Sequence, residues 1–182
     1  MLKKRQKTGK NGKNKTISVK RFAITYILLM GGSFFILGFE PIKQVIDLNG
    51  VYTEGVVKVT AWLIGLFNIP VTVDGSILRL PSISLDVRFG CNGLEAVMIY
   101  SVAVITFPSN WRDKIVGILA GFLLIQLINV FRIAGLAYSG VYHRQLFDII
   151  HIYVAQGVMI AIALGVFLLY LRYTGRKNES IA

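Results

Sequence analysis

Four uncharged apolar runs dominate the chain: Phe22 to Phe39, Ala96 to Trp111, Ile115 to Phe131 and Ile149 to Leu171. A bilayer crossing needs about 20 mostly apolar residues, with a range of roughly 17 to 25. The runs predict spans at about 22–39, 92–111, 114–138 and 148–171; the third reads on past Arg132 to Tyr138, and the fourth contains His151. The first run follows a basic tail, as a signal sequence would. No small-residue cleavage site comes after it, so it reads as an uncleaved anchor.

Between the first two spans the pattern changes twice. Residues 51–67 put Glu54 and Lys58 four apart on one helical face, with Tyr52, Val56, Val59, Leu63 and Leu66 along the other. That predicts an amphipathic helix lying at the membrane interface; a fifth crossing is the alternative. From about 70 to 90 the period drops to two. Val71 and Val73 precede Asp74-Gly75, and Ile83, Leu85, Val87 and Phe89 alternate with Ser82, Ser84, Asp86 and Arg88. Short strands with a turn at Asp-Gly follow. Open strand edges cannot face lipid, which predicts an extracytoplasmic β-ribbon just before Cys91. The expected fold is an all-α integral membrane protein carrying that ribbon, with residues 22–172 as one membrane domain.

Charge decides the orientation. Of 182 residues 54% are hydrophobic and only 16% charged, well below the quarter usual in soluble domains. The chain carries 20 Lys and Arg against 9 Asp and Glu, for a net charge of +11. Nine of the basic residues fall in the acid-free stretch 1–21. Such an excess would ordinarily raise nucleic-acid binding, but beside an apolar run it reads as a disordered cytoplasmic anchor for the lipid surface. With that tail inside and four crossings, Arg112 and Lys114 fall inside, His143 and Arg144 outside, and the tail at 173–182 inside. A fifth crossing would put both Arg112/Lys114 and the C-terminal basic cluster outside, against the bias of short loops.

This topology brings Cys91, Arg132 and His151 toward one outer face. A thiol, a guanidinium and an imidazole together suit acyl transfer: thiolate attack on a carbonyl, proton transfer, and stabilisation of the anion formed. Each residue also has a plainer reading. A lone cysteine packs as a small hydrophobe; an intramembrane arginine can pair with Glu95 or helix carbonyls; a histidine can simply be buried. Asn92 and Glu95 resemble a capping box, which would set Cys91 at a helix start and favour its thiolate. Gln126 and Asn129 share a polar face with Arg132, Asp148 could orient His151, and His143 reads as a solvated loop residue. The pair Gly31-Gly32 reads as a close helix contact. One cysteine permits no intramolecular disulfide and no Cys-rich metal site, and no cofactor or metal is expected.

The residues Cys91-Asn92-Gly93-Leu94-Glu95, Asn129-Val130-Phe131-Arg132-Ile133 and His151 resemble the exosortase/archaeosortase family of prokaryotic membrane enzymes over roughly residues 75–171. The resemblance implies a cysteine peptidase or transpeptidase that cleaves C-terminal sorting signals from exported proteins and passes the new end to an acceptor. It implies Cys91 as nucleophile, Arg132 as stabiliser of thiolate or oxyanion, and His151 as acid/base. The chain is shorter than the common form and has Asn92 where many members carry serine. It looks most like the short exosortase H-like branch. A non-catalytic assembly subunit or a small transport component is the alternative function.

Overall fold

The computed structural model describes residues 19–38, 48–142, 145 and 155–179. Its helices are α1 (Val19–Gly38), α2 (Leu48–Gly65), α3 (Leu94–Thr106), α4 (Trp111–Tyr142) and α5 (Ala155–Glu179). Strands β1 (Thr72–Asp74), β2 (Ile77–Arg79) and β3 (Ser84–Asp86) lie between α2 and α3.

No proline follows Pro108, and α4 runs unbroken for 32 residues. At 1.5 Å per residue it is about 48 Å long, well over the ~30 Å of a bilayer's hydrocarbon layer. Its lower part carries an exposed apolar stripe at four-residue steps: Ile115, Leu119, Leu123, Leu127 and Phe131. With exposed Trp111 at the foot, the stripe ends at Phe131, about 30 Å up. In water such a patch would be a liability; against lipid tails it is the expected surface. The helix then continues past the stripe, with Tyr138 and Tyr142 in ring contact at 4.7 Å.

The segments packed on α4 divide at the same height. Beside its lower part, α3 and α5 form one apolar core around Tyr100, Ile125, Met159, Val166 and Tyr170. Glycine makes this contact close. The Tyr100 ring lies over Gly121, and its hydroxyl donates to the Gly117 carbonyl at 2.7 Å. Tyr170 covers Gly117 from the other side and shares a 2.5 Å hydrogen bond with Ser109. Beside the upper part, α2 and the sheet bury Val57, Ile64, Leu78, Leu85 and Val87 against Val130, Ile133 and Ala137.

The sheet is antiparallel in the order β1-β2-β3. Asp74 closes against Ile77, so the tight loop is Gly75-Ser76, one residue later than an Asp-Gly turn. The alternation read from sequence holds through Val87, with Leu85 and Val87 buried and Ser84 and Asp86 exposed, but Phe89, expected in the same phase, is 39% exposed.

Several sequence expectations need correction. Among the described residues two helices are long and apolar enough to cross a membrane, Trp111–Tyr142 and Gly157–Arg176; Leu94–Thr106 is apolar but shorter. The helix expected at 92–111 is therefore 13 residues long, about 20 Å, because Gly93 starts it late and the chain turns extended at Phe107 ahead of Pro108. The tail at 1–21 is already helical from Val19, and the tail expected from 173 continues α5 to Glu179. In α2 the Glu54–Lys58 pair forms at 2.6 Å; of the residues expected on the apolar face of an interfacial helix, Val56 is buried, while Val59 and Leu66, the latter just past the helix, are 53% and 60% exposed. The buried face is Thr53, Val56, Val57, Thr60 and Ile64, packed on α4 and the sheet. Threonine can line it because its hydroxyl finds a partner, as Thr60 does in donating to the Val56 carbonyl at 2.8 Å. Gly31 and Gly32 meet no described neighbour within 4 Å; close packing falls to Gly117 and Gly121 instead.

A methyl group at Gly121 would collide with the Tyr100 ring. We expect Gly121→Ala to lower stability by about 1–3 kcal/mol through overpacking, despite alanine's better helix propensity. Gly135→Ala, with no described atom within 4 Å, should be neutral or mildly stabilising. Unfolding of the two variants in the same detergent checks the contrast.

Candidate functional site

Cys91 stands on the turn between β3 and α3. Its amide and that of Asn92 both donate to the Arg88 carbonyl, at 2.8 and 3.0 Å, folding the chain back after the strand. Glycines with positive φ bracket the turn, Gly90 at 91° and Gly93 at 80°. At Gly93 the need is double: an added Cβ would come within 2.7 Å of Asn129 Nδ2 and 2.9 Å of Gln126 Nε2. A half-buried thiol is thereby held by backbone geometry at the junction of strand and helix.

The N-cap expected at Asn92 falls on the next residue. Gly93 is the N-cap of α3, without a side-chain cap bond, since its left-handed conformation places the helix start one residue later. Asn92 instead accepts from the Leu94 amide at 3.0 Å and donates to Thr53 Oγ1 at 2.8 Å. It is fully buried and ties the cysteine turn to α2. Glu95 lies in the first turn of α3, a favourable place for an acid.

Arg132 follows Phe131, the last residue of the lipid stripe, on α4. Its Nη1 donates to Asn129 Oδ1, one turn earlier, at 3.1 Å. Nε and Nη2 are buried and have no hydrogen-bond partner among the described residues. The guanidinium lies within interaction range of the Cys91 thiol. Cys91 and Arg132 line one pocket of about 210 Å³, with Ser84, Leu85, Asp86 and Val87 on one side and Ile133 and Leu136 on the other. The sequence-predicted nucleophile and guanidinium are thus brought together across α4 and the end of the sheet.

Polar side chains surround them. Gln126 Nε2 donates to the Tyr52 hydroxyl, whose ring packs edge-on against Phe122. Asn129 is fully buried, with Nδ2 unpartnered among the described residues. Tyr52, Thr53, Ser84 and Asp86 were not singled out from sequence as site residues. Tyr52 and Thr53 sit on α2, remote in the chain, and Ser84 and Asp86 on the strand just before Cys91; only the packing of α2 and the sheet on α4 brings them together. At the pocket, Ser76 Oγ and Arg88 Nε donate to the Asp86 carboxylate at 2.7 and 2.6 Å. These bonds hold its pKa below the usual carboxylate range. His151, Asp148 and His143 lie outside the described residues. Among the described residues no group of His, Cys, Asp and Glu could hold a metal ion.

This arrangement can hold an acyl group at a thiol beside a guanidinium that has two nitrogens without a hydrogen-bond partner among the described residues. No curated protein matches the chain, and no solved structure does. The model of the family described as Transmembrane exosortase (Exosortase_EpsH) matches residues 18–171, from the start of α1 through the whole of the pocket to α5. With most of its length matched, the chain belongs to the transmembrane exosortase family, a family of cysteine peptidases and transpeptidases.

Proposed function

We propose that this chain is a membrane thiol peptidase or transpeptidase of the short exosortase H-like branch. It cleaves C-terminal sorting signals of exported proteins at the outer face of the prokaryotic cytoplasmic membrane. The observation that carries this reading is the shared pocket of Cys91 and Arg132, on elements joined only through the fold.

The chemistry follows from the groups. The Cys91 thiolate attacks the scissile carbonyl, forming a C–S bond and moving the π pair onto oxygen. Arg132, through the two nitrogens that Asn129 does not engage, offers donors to that oxyanion. His151 takes the thiol proton and returns it to the leaving amine as the C–N bond breaks, and Asp148 orients the imidazole. These two roles rest on the family resemblance and on position in the chain. Water or an amine acceptor then attacks the thioester, with His151 as base, and restores the thiol.

The membrane arrangement proposed is four crossings, by α1, by the segment 92–111 of which α3 is the helical part, by α4 and by α5, with both termini cytoplasmic. Two facts support it: the sheet packs on Val130, Ile133 and Ala137, beside and beyond the end of the lipid stripe, and strand edges are excluded from hydrocarbon. Because α3 is short, the cysteine turn sits at the level of Gln126 and Asn129, just below Arg132.

Processing of a co-encoded exported protein ending in a short motif, an apolar span and a basic tail tests the function. Cys91→Ala should stay in the membrane and abolish cleavage, since the chain has no other thiol. Continued cleavage would leave the assembly-subunit reading standing. Arg132→Lys should lose on the order of 10² to 10³ in rate, because lysine offers one compact charge in place of a planar fork.

The histidines separate on the same assay. His151→Ala should be inactive at matched membrane abundance and His143→Ala active, with Asp148→Asn between them. Inactive His143→Ala with active His151→Ala would overturn the third member of the site.

Topology has its own measurement. A cysteine placed at Ser82 in a Cys91→Ser background should label with a membrane-impermeant maleimide from outside intact cells. Labelling only after the cytoplasmic side is opened would overturn the four-span arrangement.

A further inference from the structure

Strand β3 is the last strand of its sheet, and its hydrogen-bonding phase can be read from the register. Leu80 donates to the Ile83 carbonyl and Val87 to the Ser76 carbonyl, both at 2.9 Å. With Leu78 opposite Leu85, the residues of this strand that bond to β2 are Ile83, Leu85 and Val87. In an antiparallel ladder the bonding direction alternates. The main-chain N–H and C=O of Ser84 and Asp86 therefore point away from β2, toward the open edge. Among the described residues no backbone hydrogen bond closes that edge. Sheets normally cover or blunt such an edge, because it is a template for another strand.

This edge borders the pocket: Ser84, Leu85, Asp86 and Val87 form one wall, and Cys91 and Arg132 line the same space. The Asp86 side chain is already engaged by Ser76 and Arg88, so it leaves its own main chain as the pairing group on that side. The pocket, about 210 Å³, is smaller than a typical drug-sized site and suits a short extended backbone better than a folded ligand.

We infer that the substrate binds by strand addition: an extended stretch of the exported protein beside the scissile bond pairs with β3 through the main-chain groups of Ser84 and Asp86. Resting on the proposed thiol chemistry, this adds the conformation recognised, an unfolded and extended segment held mainly by its backbone. A paired strand lies about 4.8 Å from β3 and presents carbonyls at two-residue intervals, so register along the edge selects which one reaches Cys91. Backbone pairing supplies affinity, and side-chain specificity is left to the few alternate positions that face pockets.

The test uses the full chain in membranes and two alkylating probes for Cys91. One is acetyl-trialanyl chloromethyl ketone, whose backbone can pair; the other is iodoacetamide, which has none. In each case the thiolate displaces halide. Ser84→Pro and Asp86→Pro remove an edge N–H without removing a ladder bond to β2. They should cut the labelling rate by the peptide ketone relative to iodoacetamide at least tenfold. Val73→Pro carries the same change on the opposite edge of the sheet and should leave the ratio unaltered. Because a proline variant can misfold, the unmodified protein is also labelled with peptide ketones N-methylated at successive amides. Alternate positions should lose tenfold or more, and the intervening ones little. Equal ratios in the edge and control variants, or no alternation among the methylated probes, would overturn strand addition. The proposed function fails separately, through substrate cleavage that survives Cys91→Ala.

Discussion

A guanidinium at the end of a lipid-facing stripe constrains everything around it. Arg132 cannot lose its charge, and its removal from water is costly unless polar groups take over from the solvent. Asn129 meets one nitrogen from a turn below, and the Cys91 thiol lies beside the group. A purely apolar bundle would have no place for it. The sheet and α2 therefore cover the upper half of α4, enclosing a small pocket around the charge instead of lipid. The polar belt of Tyr52, Thr53, Asn92, Gln126 and Asn129 lies between this cap and the dry core of α3, α4 and α5.

The two halves of the molecule solve different packing problems. Below Arg132, helices associate with no hydrophobic gain over lipid, and close contact has to supply the attraction. Gly117 and Gly121 meet that need by admitting the rings of Tyr170 and Tyr100. Above it, the sheet packs its alternating leucine and valine face against the helix, as a water-soluble domain would. One continuous helix belongs to both halves, and Cys91 and Arg132 lie where they meet.

Much of this was legible in sequence where a single residue or a strict period carried the signal. An arginine in an apolar run and a cysteine before a new run marked two residues that share a pocket, and the period of two at 83–89 marked a strand of the sheet. What was not legible depended on backbone conformation or on tertiary partners. Asn92 looked like an N-cap because its type favours that role, yet a left-handed Gly93 took it. Val59 shares the apolar face of α2 with Val56 in the sequence pattern, yet it is exposed while two polar residues, Thr60 and Thr53, the partner of Asn92, are buried. Hydrophobic runs marked where chain could enter a membrane, not how much of each run is helix; Phe107 and Pro108 decide that for α3. For His151 and Asp148 the sequence remains the whole of the argument.

The long helix also acts as an angular gauge. Each residue turns an α-helix by about 100°, so the eleven steps from Gly121 to Arg132 make three turns and about 20° more. Both residues thus share one azimuth on α4. Gly121 is where Tyr100 seats α3, and the chain entering α3 is the turn that bears Cys91. The contact that docks the shorter helix therefore also sets the compass bearing of the guanidinium toward the thiol. Adding or deleting one residue just before Arg132 would swing it by about a quarter turn relative to Gly121, while the helix itself continues.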